Sequence, residues 1–210
     1  MLNRRDFLFT GVTALAATGP FATLAQTAPP QAVPTDPIAA IAASLPPRIE
    51  GNYQIPERYW ATIVNVRKEL PAAEIHIMPQ TRHLYLTLGE GKAIRYGVAI
   101  GQEGLAYFGT AVIGRKEEWP SWRPTDEMIE RNPAAYEQYK DGMEGGPTNP
   151  LGARAMYFYQ NGRDTTIRIH GTTSPRSIGS AASNGCFRMY NSHVMDLYNR
   201  VPIGTIVHAY

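Results

Sequence analysis

The chain has 210 residues, a formal net charge of +2 and a single cysteine. That length supports one domain with a full hydrophobic core. The near-neutral balance without a basic run argues against a nucleic-acid partner, and one cysteine excludes a disulfide within the chain.

The N-terminus reads as an export signal over residues 1–28. Arg4 and Arg5 precede an apolar stretch from Phe7 to Ala17, Gly19 and Pro20 break any helix, and Thr23-Leu24-Ala25 offers small residues for cleavage. The stretch is too short to cross a bilayer core of ~30 Å, so no stable membrane span is expected after its removal. Arg4-Arg5-Asp6-Phe7-Leu8 resembles a twin-arginine signal, which implies a protein exported already folded, to the periplasm. An ordinary secretory signal fits the same pattern.

Residues 29–57 are rich in Pro and Ala and read as an extended tether, with a short helix over Ile38–Leu45. Residues 58–210 are left to carry the function as one domain. Short strands are predicted at Ala61–Val66, Glu74–Met78, Leu84–Leu88 and Ala93–Ile100, then at Thr110–Arg115, Ala153–Tyr159, Thr166–His170 and Thr205–Ala209. Two helical pieces, Asp126–Arg131 and Pro133–Lys140, are split by Pro133. A last helix over Ser192–Arg200, with Asn191 as N-cap, places Val194, Leu197, Tyr198 and Val201 on one face. The domain is therefore mostly β, with a few short helices and long loops.

Chemistry centres on Ser183-Asn184-Gly185-Cys186-Phe187-Arg188-Met189. A lone thiol in an oxidising compartment is a liability unless it is used. It attacks as thiolate, and an imidazole that takes its proton raises that fraction. Among the five histidines, His76, His83 and His208 fall inside predicted strands and His193 opens the last helix, facing solvent. His170 instead closes a strand and leads into Gly171-Thr172, where a scaffold presents functional groups. Gly185 permits a backbone turn that aims N–H groups at one point, as an oxyanion hole requires. Arg188, two residues past Cys186, faces the same way if Cys186 begins a strand, and a guanidinium there suits a carboxylate. A core cysteine and an ordinary strand-end histidine remain the plain alternatives. A zinc site from Cys186, His170 and His193 lacks paired ligand spacing.

The run His170-Gly171-Thr172, Ser177-Ile178-Gly179 and Ser183 to Asn191 resembles the signature of the YkuD-type L,D-transpeptidases. Trp119-Pro120-Ser121-Trp122-Arg123-Pro124 and the stretch Gly145 to Ala155 look like the family's substrate-side segments. The resemblance implies a β-sandwich-like catalytic domain that needs no metal or other cofactor. It implies Cys186 as nucleophile, His170 as base and then acid, the Gly171 carbonyl orienting that histidine, and the Gly185 backbone in the oxyanion hole. Arg188, Ser183, Trp119 and Trp122 would meet substrate, with a structural ion pair for Arg188 and core packing for the two tryptophans as the alternatives. The implied reaction forms a cysteine acyl-enzyme with a peptidoglycan stem peptide, at an amide between an L-centre and a D-residue. An amine then takes the acyl group: another stem, a lipoprotein lysine or a D-amino acid. A hydrolase or carboxypeptidase using the same cysteine, and a non-catalytic wall-binding domain, are the alternatives. Asn184 stands where many members have His, and Phe108-Gly109-Thr110 replaces a Thr-Pro-x-Gly turn.

Overall fold

The computed structural model describes residues 36–210 apart from residue 104. The expected signal segment lies outside the described residues.

Among the described residues, thirteen strands and four α-helices follow in chain order. They begin with α1 (Pro37–Ala43), the hairpin β1 (Ile49–Glu50) and β2 (Tyr53–Gln54), and β3 (Thr62–Asn65). Next come β4 (Ile75–Met78), β5 (His83–Gly89), β6 (Lys92–Gly97), β7 (Ile100–Gly101) and β8 (Gly109–Glu118). An excursion with α2 (Asp126–Arg131) and α3 (Pro133–Tyr136) leads to β9 (Arg154–Gln160) and β10 (Arg163–His170). The chain closes with β11 (Ala181–Ser183), β12 (Phe187–Arg188), α4 (Asn191–Arg200) and β13 (Ile206–Ala209).

Nine strands form one mixed sheet in the order β12-β10-β9-β8-β13-β4-β5-β6-β3. Alternation decides its faces. Ile75, Ile77, Leu84, Leu86, Ile113, Met156, Phe158, Ile169, Phe187 and Val207 all point to one core. Val194 and Leu197 of α4 fill the space between them. The sheet curls: Ala99, just past β6, makes an antiparallel bridge to Arg188 on the opposite edge strand β12. That closure gives the mostly β, sandwich-like form expected from the sequence, and brings distant strands around the cysteine.

Three differences from the sequence expectations have physical causes. The predicted strand at Ala93–Ile100 is two strands, because after β6 the chain leaves the large sheet and β7 pairs with β11 instead. The end of the Pro- and Ala-rich stretch packs down: Tyr53 and Ile55 cluster with Tyr59, Trp60, Ala99, Ile178 and Tyr190. His193 is fully buried rather than solvent-facing, with its ring edge-on to Tyr190 at 5.1 Å. Its burial pushes its pKa down to about 4.

Candidate active site

Cys186 follows Gly185 in the turn between β11 and β12. Gly185 has φ +112°, and a Cβ there would lie 3.0 Å from the Leu105 carbonyl oxygen, so only glycine fits without strain. Among the turn and loop hydrogen bonds of the described residues, no partner accepts from the N–H of Gly185 or Cys186. Ser183, expected on the substrate side, is buried and donates its hydroxyl to the Cys186 carbonyl, fixing the turn instead.

The histidine reaches the same place through sheet register. β10 and β12 run parallel, with Ile169 beside Phe187 and His170 beside Arg188. One residue before that pairing, Arg168 and Cys186 come close, with the Arg168 backbone and charge both acting on the thiol. Ile169 and Phe187 face the core, so Arg168, His170, Cys186 and Arg188 share the other face. Cys186, one residue before β12, thus lies diagonally across from His170 of β10.

The protonation states follow from the contacts. His170 Nδ1 lies 2.6 Å from the Gly171 carbonyl oxygen, which only accepts, so Nδ1 carries the proton and Nε2 keeps a lone pair. Burial, then the Arg188 charge, hold the imidazole pKa down to about 3. Cys186 keeps a partly exposed surface, yet crowding by the protein pushes its thiol up, against the pull of Arg168 and Arg188. Both shifts favour a neutral thiol and a neutral imidazole at rest. Sγ donates to the Thr166 carbonyl oxygen at 3.8 Å. Thr166 has φ +64°, an unfavourable conformation for a β-branched residue, inside a bulge of β10. Asp164 accepts from the Thr166 N–H at 2.7 Å and holds the bulge.

A polar hub missed by the sequence reading backs the histidine. Asn191 was expected to cap α4, but it is the helix's first residue. Its Oδ1 accepts from Ala153 N at 2.9 Å and Thr172 N at 3.3 Å, and its Nδ2 donates to the Thr172 carbonyl at 2.9 Å. It fits because residues 152 and 171 are glycine: a Cβ on either would lie 2.2 Å from that Oδ1. Capping falls to Glu50 of β1, whose carboxylate accepts from Asn191 N at 2.9 Å and Ser192 N at 3.1 Å. Asn191→Ala leaves part-buried backbone groups unpaired and is expected to cost about 1–3 kcal/mol of stability, read by urea unfolding. A loss below ~0.5 kcal/mol, the size of an ordinary surface substitution, would remove the hub from the account.

The β8–β9 excursion borders the site. Trp122 sits edge-on to Tyr136 and Tyr139 at 6.3 and 5.7 Å and ties the excursion together. Trp119, at its start, is exposed. Asn184 joins this excursion to the cysteine turn: Arg131 donates to its Oδ1 at 2.7 Å, and its Nδ2 donates to the Tyr136 hydroxyl at 3.1 Å.

Residues 72–208 match the family model described as YkuD, the L,D-transpeptidase catalytic domain. The probable L,D-transpeptidase YbiS of Escherichia coli K12 is 32% identical over 160 residues, which cover 70% of this chain and 49% of that protein. The chain thus spans about half of that relative's length. The putative L,D-transpeptidase YqjB of Bacillus subtilis is 49% identical over 70 residues, 32% of this chain and 40% of that protein. Among solved structures, a Brucella melitensis protein named a probable carnitine operon oxidoreductase is 52% identical, covering 75% of this chain and 97% of its own, with a TM-score of 0.51. An Enterococcus faecium L,D-transpeptidase aligns at TM-score 0.50 and 16% identity over 67% of this chain and 50% of its own, which speaks to the fold alone.

Proposed function

The chain belongs to the YkuD family of L,D-transpeptidase catalytic domains, and we propose from that premise that it transfers an acyl group through Cys186. One observation carries the reading: strand register sets the only thiol and a neutral imidazole on one sheet face, and the Gly171 carbonyl fixes the imidazole so that Nε2 is free to take a proton.

The donor is a peptidoglycan stem peptide, cleaved at the amide between an L-configured centre of a diamino acid and a terminal D-residue. Sγ turns from the Thr166 carbonyl toward His170, gives its proton to Nε2 and bonds to the carbonyl carbon. The Gly185 and Cys186 N–H groups receive the oxyanion. As the tetrahedral species collapses, the C–N bond breaks and Nε2 returns the proton to the leaving amine. A thioester remains. An acceptor amine then attacks it, losing its proton to Nε2, and the thiol is restored. The acceptor is a second stem's side-chain amine, a lipoprotein lysine or a free D-amino acid. Water as acceptor makes the same site a hydrolase.

The name of the Brucella relative suggests redox chemistry, but this sequence holds no G-x-G-x-x-G dinucleotide fingerprint. The thiol, base and amide turn answer instead to acyl transfer. Export to the periplasm rests on the N-terminal sequence alone. Among the described residues no helix is long and apolar enough to cross a membrane.

The test is incubation with a stem tetrapeptide, with and without a D-amino acid. Release of D-Ala with formation of dimer or exchanged peptide supports transfer. Tripeptide alone selects the hydrolase, and no product rejects both.

A further inference from the structure

The face that carries Cys186 and His170 also carries guanidiniums. Arg168 of β10 lies close to Cys186 just before β12, Tyr157 lies opposite Arg168 on β9, and Arg115 lies opposite Tyr157 on β8. One rank of side chains therefore crosses β10, β9 and β8, starting at the thiol. The Tyr157 ring meets two guanidiniums, with Arg115 Cζ 3.5 Å and Arg168 Cζ 4.8 Å from its centroid. The two arginines differ in what neutralises them. Arg115 pairs with Glu117, which also accepts from the Tyr157 hydroxyl at 2.6 Å. Arg168 has no ion pair among the described residues, and its Nε is buried without a hydrogen bond. Asp164, on the same strand, spends Oδ1 on the Thr166 backbone. Arg188, half-buried two residues beyond Cys186, also lacks an ion pair among the described residues.

Partly buried guanidiniums without a counter-charge keep a desolvation cost that an anionic ligand offsets. A carboxylate matches the guanidinium fork and takes paired hydrogen bonds from it. Arg168 and Arg188 flank the nucleophile, one across the strand pair and one along β12. Stacking on Tyr157 pre-orders Arg168, so little rotamer entropy is lost when a ligand arrives.

We propose that Arg168, seated on Tyr157 beside Cys186, binds a free carboxylate of the acyl donor together with Arg188, and makes the site selective for donors that carry a carboxylate next to the scissile amide. This rests on the acyl-transfer reading above. It adds a substrate-binding residue and a donor class: acidic peptides rather than their amidated forms.

The test separates binding from chemistry. In the full chain carrying Cys186→Ala, calorimetry measures the affinity for a stem tetrapeptide with free carboxylates and for the same peptide with those carboxylates amidated. Arg168→Gln in that background is expected to weaken binding of the free acid ~10–100-fold, the loss of charge-assisted hydrogen bonds, and to leave the amidated peptide unchanged. Arg168→Lys, which keeps the charge without the fork, should fall between. Equal losses for both peptides, or no loss for either, would overturn the proposal. Equal loss together with a lowered melting temperature would assign Arg168 to structure. If the Cys186→Ala protein binds the free acid as expected while the unmodified protein gives neither product nor acyl adduct, the acyl-transfer reading fails and the carboxylate site stands.

Discussion

Cys186→Ala is expected to remove turnover of a stem tetrapeptide, by ~10⁴-fold or more, as when the nucleophile of a covalent enzyme is deleted. The chain has no other thiol to substitute for it. The loss should be chemical rather than structural. Cys186 is partly exposed, and its Sγ donates one long hydrogen bond, to the Thr166 carbonyl. Stability should therefore change by no more than about 1 kcal/mol. Product analysis beside a thermal melt checks both halves. A variant that folds normally and keeps its activity would end the cysteine assignment.

His170→Ala is expected to lower turnover by ~10²–10⁴-fold, the usual worth of a positioned acid and base. It should lower kcat more than it weakens donor binding, because the imidazole is proposed to move protons while the neighbouring guanidiniums hold the donor. The pH profile carries a further signature. Burial holds His170 neutral down to about 3, so the acid limb of kcat/KM should lie well below the ordinary histidine value of 6.5. The thiol is pushed up, so alkylation of Cys186 should keep accelerating above pH 9, with no plateau near neutrality. A plateau between pH 6 and 8 would reveal a thiolate–imidazolium pair and contradict the neutral resting state. Stability follows the same groups. His170 and His193 stay neutral in the fold to about 3 and about 4, while the unfolded chain takes up protons below ~6.5. The unfolded state then binds more protons, so stability should fall as pH drops from ~6.5 toward those values.

Much of this was legible in the sequence where period and chemistry coincide. The strands at 75–78, 83–89, 109–118, 154–160 and 206–209 carry apolar residues on alternate positions facing one core, and each was expected nearly in place. Pro133 divided α2 from α3 as its missing N–H requires, with Asn132 capping the second piece. Other features depend on pairing that no local pattern records. β12 has only two residues and exists because β10 and Ala99 hold it. The Thr166 bulge runs against propensity, since a β-branched residue seldom takes positive φ.

The site divides the same way. The thiol, the histidine and Gly185 stood out by type and spacing. Arg168 did not, because its place close to Cys186 comes from the pairing of β10 with β12. Glu50 reaches the start of α4 from 141 residues away in sequence, so only the fold reveals its capping role. His193 did leave a signal: it stands four residues before Leu197, on the buried side of the helix.

The most direct test of the account is intact mass spectrometry of the full chain mixed with a stem tetrapeptide in the absence of an amine acceptor. A transient adduct with the mass of the acyl tripeptide is expected, placed on Cys186 by peptide mapping, absent from Cys186→Ala and discharged when a D-amino acid is added. Release of D-Ala without any adduct on Cys186, or an adduct that persists in Cys186→Ala, would contradict it.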